Sequence, residues 1–139
     1  MRVLIAVDLT LMRSAIRRLL NEEEGVEVVG EAANLSELTY LTRTLSPDVI
    51  LLKWDLSGMP GSSKAGASSS LNQSRAEKRR NVILASLRRY PSHPCIIVLS
   101  NHPEVEELAC RLGLSGFVFT ADPPERLIAA IRMMKDQVV

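Results

Sequence analysis

A chain of 139 residues has the length of one ordinary domain, and its 46% apolar and 24% charged content is that of a globular protein, which excludes a fibre or a disordered tail. Seventeen Lys and Arg against 16 Asp and Glu leave a net charge of +1, so no global field draws the chain to nucleic acid or an anionic membrane. Two cysteines, Cys95 and Cys110, are too few for a disulfide framework, and no apolar run approaches the roughly 18 to 20 residues that span a bilayer, so a single soluble domain in a reducing cytoplasm is expected.

The first element is a nearly continuous apolar run over residues 2–7 (RVLIAV), the pattern of a strand covered on both faces. Leu11, Met12, Ala15, Ile16, Leu19 and Leu20 follow at the three-and-four spacing of an amphipathic helix. A second run at residues 26–29 precedes a helix carrying Leu38, Leu41 and Leu45, opened by the capping pair Asn34 and Glu37. The third run, residues 49–52, is followed by SGMPGSSKAGASSSLNQS at about 57–74, a Ser/Gly-rich insertion without periodicity and with the composition of a flexible linker. Ser74 and Glu77 have the spacing of a capping box for a third helix with Ile83, Leu84 and Leu87 on one face. That helix is strongly basic: residues 61–93 hold seven positive charges and one negative. A solvated helix face is the plainer explanation, a patch for an acidic partner or nucleic acid the sharper one.

A fourth run at residues 96–99 leads to a helix with Val105, Leu108, Ala109 and Leu112, closed by Gly113, in which Cys110 is expected in the core. A short fifth run at 117–119 leads through Pro123 and Pro124 to a helix with Leu127, Ile128, Ile131 and Met134. Five strand–helix units with short links predict a doubly wound α/β fold, a parallel sheet layered by helices on both faces. Ligand crevices of such folds lie beyond the carboxyl ends of the strands, here near Val7 and Asp8, Glu31, Lys53 to Asp55, Ser100 and Asn101, and Thr120.

The order and wording of these segments resemble a bacterial two-component response-regulator receiver domain of the type that precedes a LuxR- or NarL-like DNA-binding domain. MRVLIAVD, VEVVGEAAN, SPDVILL, IIVLSNH and LSGFVF with PPERLIAAIR fall in that family's order, interrupted only by the Ser-rich insertion. The resemblance implies a flavodoxin-like (βα)5 fold with five parallel strands in the order 2-1-3-4-5. It also implies phosphorelay chemistry, in which an aspartate ending the third strand takes a phosphoryl group from a histidine kinase. A divalent cation held by that aspartate and two acids after the first strand supports the transfer, since hard Mg²⁺ prefers carboxylate oxygens.

On that template the first acid of the pair is Val7 and only Asp8 remains; the acceptor position is Lys53; the sensing lysine is Thr120; Ser100 keeps the hydroxyl after the fourth strand. An amine forms no acyl phosphate, and its charge displaces a cation, so a degenerate pseudo-receiver that binds no metal and no cofactor is expected. An ion pair between Asp8 and Lys53 is one outcome, worth roughly 4 kcal/mol at about 4 Å and an effective dielectric near 20 before desolvation is subtracted. The other is a Lys53 that merely reaches solvent beside Trp54. Asp55, two residues on, is a weaker acceptor candidate, placed about 6 to 7 Å farther out if the strand persists. Glu31 is a possible extra carboxylate.

Function is then expected to be phosphorylation-independent protein–protein interaction or dimerisation. The family pairs through its fourth helix, fifth strand and fifth helix, and that face here includes Glu104, Glu107, Arg111, Arg126, Arg132 and Met133 with the switch-like aromatic Phe117, whose opposite charges suit a homodimer. The alternative is a regulatory receiver of a LuxR/NarL-type transcription regulator whose DNA-binding domain is absent from this chain. Enzymatic function is not expected: no G-x-G-x-x-G or Walker pattern follows a strand, Ser100 has no base and acid to complete a triad, and His93 and His102 are too isolated for a zinc set. Nucleic-acid binding by this domain alone is not expected either, because the basic helix has few side chains that read bases.

Overall fold

The computed structural model describes residues 1–60, 70–90 and 93–137. Five strands alternate with five helices: β1 (Arg2–Ala6), α1 (Thr10–Asn21), β2 (Glu27–Ala32), α2 (Leu35–Leu45), β3 (Val49–Lys53), α3 (Ser70–Arg88), β4 (Cys95–Ser100), α4 (Pro103–Arg111), β5 (Gly116–Phe119) and α5 (Pro124–Gln137). The strands form one parallel sheet in the order β2-β1-β3-β4-β5. This is the flavodoxin-like order that the family resemblance implies, and the doubly wound parallel sheet is the one predicted by the alternation of apolar runs with amphipathic helices.

The continuous apolar runs become strands with a core on each face. Leu4, Ala6, Ile50, Leu52, Ile96 and Val98 point to one side, where they meet Leu38, Leu84, Leu87, Val105 and Ala109 from α2, α3 and α4. Val3, Ile5, Val49, Leu51, Ile97 and Leu99 point to the other, against Ile16 and Leu20 of α1 and Leu127, Ile131 and Met134 of α5. Period-two alternation places successive residues on opposite faces, so every position of a doubly covered strand is apolar.

Asn34 caps α2 as its spacing predicts, its side chain accepting from the amide of Glu37 at 2.9 Å. Gly30 in β2 permits close approach of α2, since a Cβ there would stand 2.9 Å from a methyl of Leu45 and 3.3 Å from one of Leu4.

Several expectations need correction. Leu11 is 88% exposed, because it lies on the opposite side of α1 from Leu20 at about 100° per residue, so it is no part of the packed face. Cys110 is exposed, since the neighbouring Ala109 is the residue that faces the sheet. Glu31 lies within β2, paired with Ile5, rather than after the strand. Ser74 lies four residues inside α3 and does not begin it. Of the stretch read as a flexible insertion, 57–60 is a packed turn with Met59 buried, 70–74 belongs to α3, and 61–69 lies outside the described residues.

Candidate functional site

The carboxyl ends of β1, β3 and β4 bring the expected pocket residues together. Lys53 ends β3 opposite Leu99 of β4, and Asp8 follows β1 by two residues. The Lys53 ammonium stands 3.4 Å from Oδ1 of Asp8 and donates to Oδ1 of Asp55 at 2.7 Å. Asp8 Oδ2 accepts from both the amide and the hydroxyl of Ser57, at 3.0 and 2.9 Å. Oδ1 of Asp8 is buried and accepts no hydrogen bond, so the ammonium is what compensates it.

The position of Asp55 differs from expectation. The strand does not persist past Lys53; a turn closed by the Leu56 amide on the Lys53 carbonyl, 3.1 Å, brings the Asp55 carboxylate back to the lysine. Asp8 and Asp55 therefore do share one cation, and it is the Lys53 ammonium. Partial burial opposes ionisation of Asp8, but the Ser57 hydrogen bond and the charge of Lys53 outweigh it and hold the carboxyl below the usual aspartate range. Burial likewise opposes protonation of Lys53, and the hydrogen bond and charge of Asp55, with the charge of Asp8, outweigh it and raise the amine above its ordinary value.

Val7 is fully buried, and its carbonyl accepts from the Arg13 guanidinium at 2.9 Å. Arg13 and Arg17, one turn apart on α1, both reach Glu31, at 3.7 and 2.9 Å. Glu31 is thus committed to two arginines and lends no carboxylate to the pocket. On the other side, Ser100 is buried and its hydroxyl accepts from the His102 amide at 3.1 Å. Thr120, which stands where the resemblance puts a sensing lysine, donates its hydroxyl to Asn101.

These residues do not fit a divalent cation. Val7 has no carboxylate, the two carboxylates nearest the β3 end lie against an ammonium, and among the described residues no three His, Cys, Asp or Glu side chains converge. Sequence reading missed Ser57 and Arg13 as pocket residues. The i, i+4 spacing of Arg13 and Arg17 was an available signal; nothing local marked Ser57.

Trp54, immediately after Lys53, turns into the core, with the Arg80 guanidinium of α3 stacked 4.3 Å from its ring centroid. Arg80 donates to the Pro60 carbonyl at 2.9 Å, while its Nε is buried without a hydrogen-bond partner. On the expected pairing face, Phe117 is half-buried and meets Phe119 edge-on, with ring centroids 4.8 Å apart. Glu104, Glu107, Arg111, Arg126, Arg132 and Met133 are exposed, but two cations of that face are engaged within the chain. Arg111 pairs with Glu107 at 2.8 Å, and Arg132 turns to Glu23, also 2.8 Å.

No protein-family model matches the chain. Over 134 residues it is 31% identical to the oxygen regulatory protein NreC of Staphylococcus epidermidis, an alignment spanning 95% of this chain and 53% of that protein. The response regulator UvrY of Escherichia coli is 30% identical over 94% of this chain and 52% of its own length. The chain thus spans about half the length of the curated relatives it matches. Among solved structures, the signal receiver domain of the response regulator NarL from Mycobacterium tuberculosis superposes with a TM-score of 0.72 at 26% identity, covering 96% of this chain and 95% of that one. The response regulatory domain of mrkE from Klebsiella pneumoniae, at 15% identity and a TM-score of 0.76, has the same fold over 99% of this chain and 97% of its own. Along nearly its whole length, then, the chain is similar in sequence to NarL/LuxR-type response regulators and folds as their receiver domains do.

Proposed function

We propose that this receiver-type domain signals by contact and not by phosphoryl transfer: it is a pseudo-receiver whose switch chemistry is replaced by a fixed ion pair. The observation that carries this reading is the Lys53 ammonium at the end of β3, held between Asp8 and Asp55. An aspartyl acceptor there would present an oxygen nucleophile to a phosphodonor and share a cation with its neighbours. The lysine instead supplies a positive charge that both carboxylates share. A competent pocket changes charge when it is phosphorylated; this one keeps a single charge state across ordinary pH.

Binding, rather than catalysis, is what such a domain retains, and a cytoplasmic setting accords with that role. The exposed face of α4, β5 and α5 is the surface for a second copy or another protein. Beryllofluoride or acetyl phosphate with Mg²⁺ tests the proposal directly. Amide chemical shifts of the intact chain should be unchanged at millimolar ligand. Saturable shifts at residues 8, 53, 55 and 57, or an acyl phosphate on Asp55 found by mass spectrometry, would overturn it. The match to about half of each curated relative also accommodates a regulatory receiver within a longer transcription regulator, which a coding sequence with a helix-turn-helix in frame would demonstrate.

A further inference from the structure

The pocket does not use α3, whose outer face is strongly basic. At about 100° per residue, Arg75, Lys78, Arg79, Val82 and Arg89 fall within an arc of roughly 100°, opposite the buried Leu84 and Leu87. All five are exposed, Val82 at 65%. Among the described residues none of the four cations has an ion-pair partner; Glu77, the one acid between Ser74 and Arg89, lies on the opposite side of the helix, beside Arg80 and Arg111. Like charges three and four residues apart destabilise a helix, so the stripe opposes folding until an anion covers it.

At its centre the stripe is apolar. Val82 and Ile83, Pro60 and the aliphatic stems of Lys78 and Arg79 line a shallow groove of about 370 Å³. This chain's own residues 61–69 contain one Lys and no Asp or Glu, so they supply no counter-charge. No aromatic side chain is exposed along the stripe to stack on bases, and an apolar centre suits a side chain better than a phosphate backbone.

We infer that the outer face of α3 is a docking surface for an acidic amphipathic segment of a partner protein, one large apolar side chain seated in the Val82 groove and carboxylates on Arg75, Lys78, Arg79 and Arg89. The inference rests on the reading of the domain as an interaction module and names the chemistry of what it binds. It stands apart from the pocket, so the phosphoryl-analogue titration and the following experiment fail independently.

The whole chain is used to select from a random 16-residue peptide library, and the enriched peptides are measured by fluorescence anisotropy. Enriched sequences should combine several Asp or Glu with a Leu, Ile, Phe or Met. Their affinity should fall at least about tenfold in Lys78→Glu/Arg79→Glu and about tenfold in Val82→Ser, while the equally charged Arg18→Glu/Arg43→Glu stays within about twofold. Circular dichroism of each variant confirms folding. Enrichment without acidic bias, equal binding to the α3 variants, or tighter binding of a duplex DNA of similar length would overturn the inference.

Discussion

Lys53 shows how one side chain sets the electrostatics at the end of a strand. Its ammonium lies within 3.4 Å of two carboxylates, and the side chains of Asp8 and Lys53 are only 18% and 16% exposed, so water screens the pair less than it would a surface bridge. Lys53→Met should cost about 1–3 kcal/mol, because it strands the buried Asp8 Oδ1, and urea denaturation will measure it. The pH dependence has a definite sign. Asp8 is held below its unfolded pKa, so its contribution is present above about pH 4 and is lost as pH falls through the folded value; Lys53 is raised, so its contribution is present below about pH 10 and is lost as pH rises through the folded value. The stability gap between wild type and Lys53→Met should therefore be level from about pH 5 to 10 and shrink on both sides. Arg80 makes a different case. Burial disfavours its charge, and neither Glu77 nor Asp55 recovers the loss. Arg80→Met keeps most of the packing over Trp54 and removes an unpartnered Nε but also loses the bond to the Pro60 carbonyl, so it should cost no more than about 1 kcal/mol, whereas Arg80→Ala should cost about 2 to 3 kcal/mol and shift the fluorescence of the single tryptophan to the red.

At the scale of elements, the strands and most helix faces are legible because two periods, 2.0 and 3.6, are written directly in the apolar pattern. Helix ends are legible where a cap is chemical: Asn34→Ala should lower stability by about 1 kcal/mol in thermal or urea unfolding, through loss of the bond to the Glu37 amide. The turn from Lys53 to Pro60 was not legible. Its second half, 57–60, opens the Ser/Gly-rich stretch that reads as linker, yet Leu56 and Met59 are buried, and Ser57 donates two hydrogen bonds to Asp8, 49 residues away in the chain. Gly58 holds φ +88°, with Leu35 Cβ 3.2 Å from where a Cβ would stand, so Gly58→Ala should destabilise the fold and weaken the Ser57–Asp8 bonds together. Amide exchange at Ser57 will report that coupling. The same turn explains the misplaced Asp55: extrapolating a strand by its rise fails once the backbone reverses.

For the whole molecule, self-association is what the proposed α4–β5–α5 face predicts. Arg126 and Met133 are exposed on it, and the Arg111–Glu107 pair is solvent-exposed on both sides, weak enough to exchange for contacts with a second copy. Light scattering across a concentration series should show a dimer that Arg126→Glu/Met133→Glu shifts to monomer, with beryllofluoride and Mg²⁺ leaving the distribution unaltered. Residue order alone dictated the alternation of strands and helices, the doubly covered sheet, and the amine at the end of β3, because periodicity and residue identity are local properties of a chain. Folding in three dimensions settled which groups answer that amine: Asp55 returning through its turn, Ser57 satisfying Asp8, Arg13 and Arg17 claiming Glu31, Arg80 lying over Trp54. Those contacts depend on where turns point and on which distant side chains reach one place, and neither follows from spacing along the backbone.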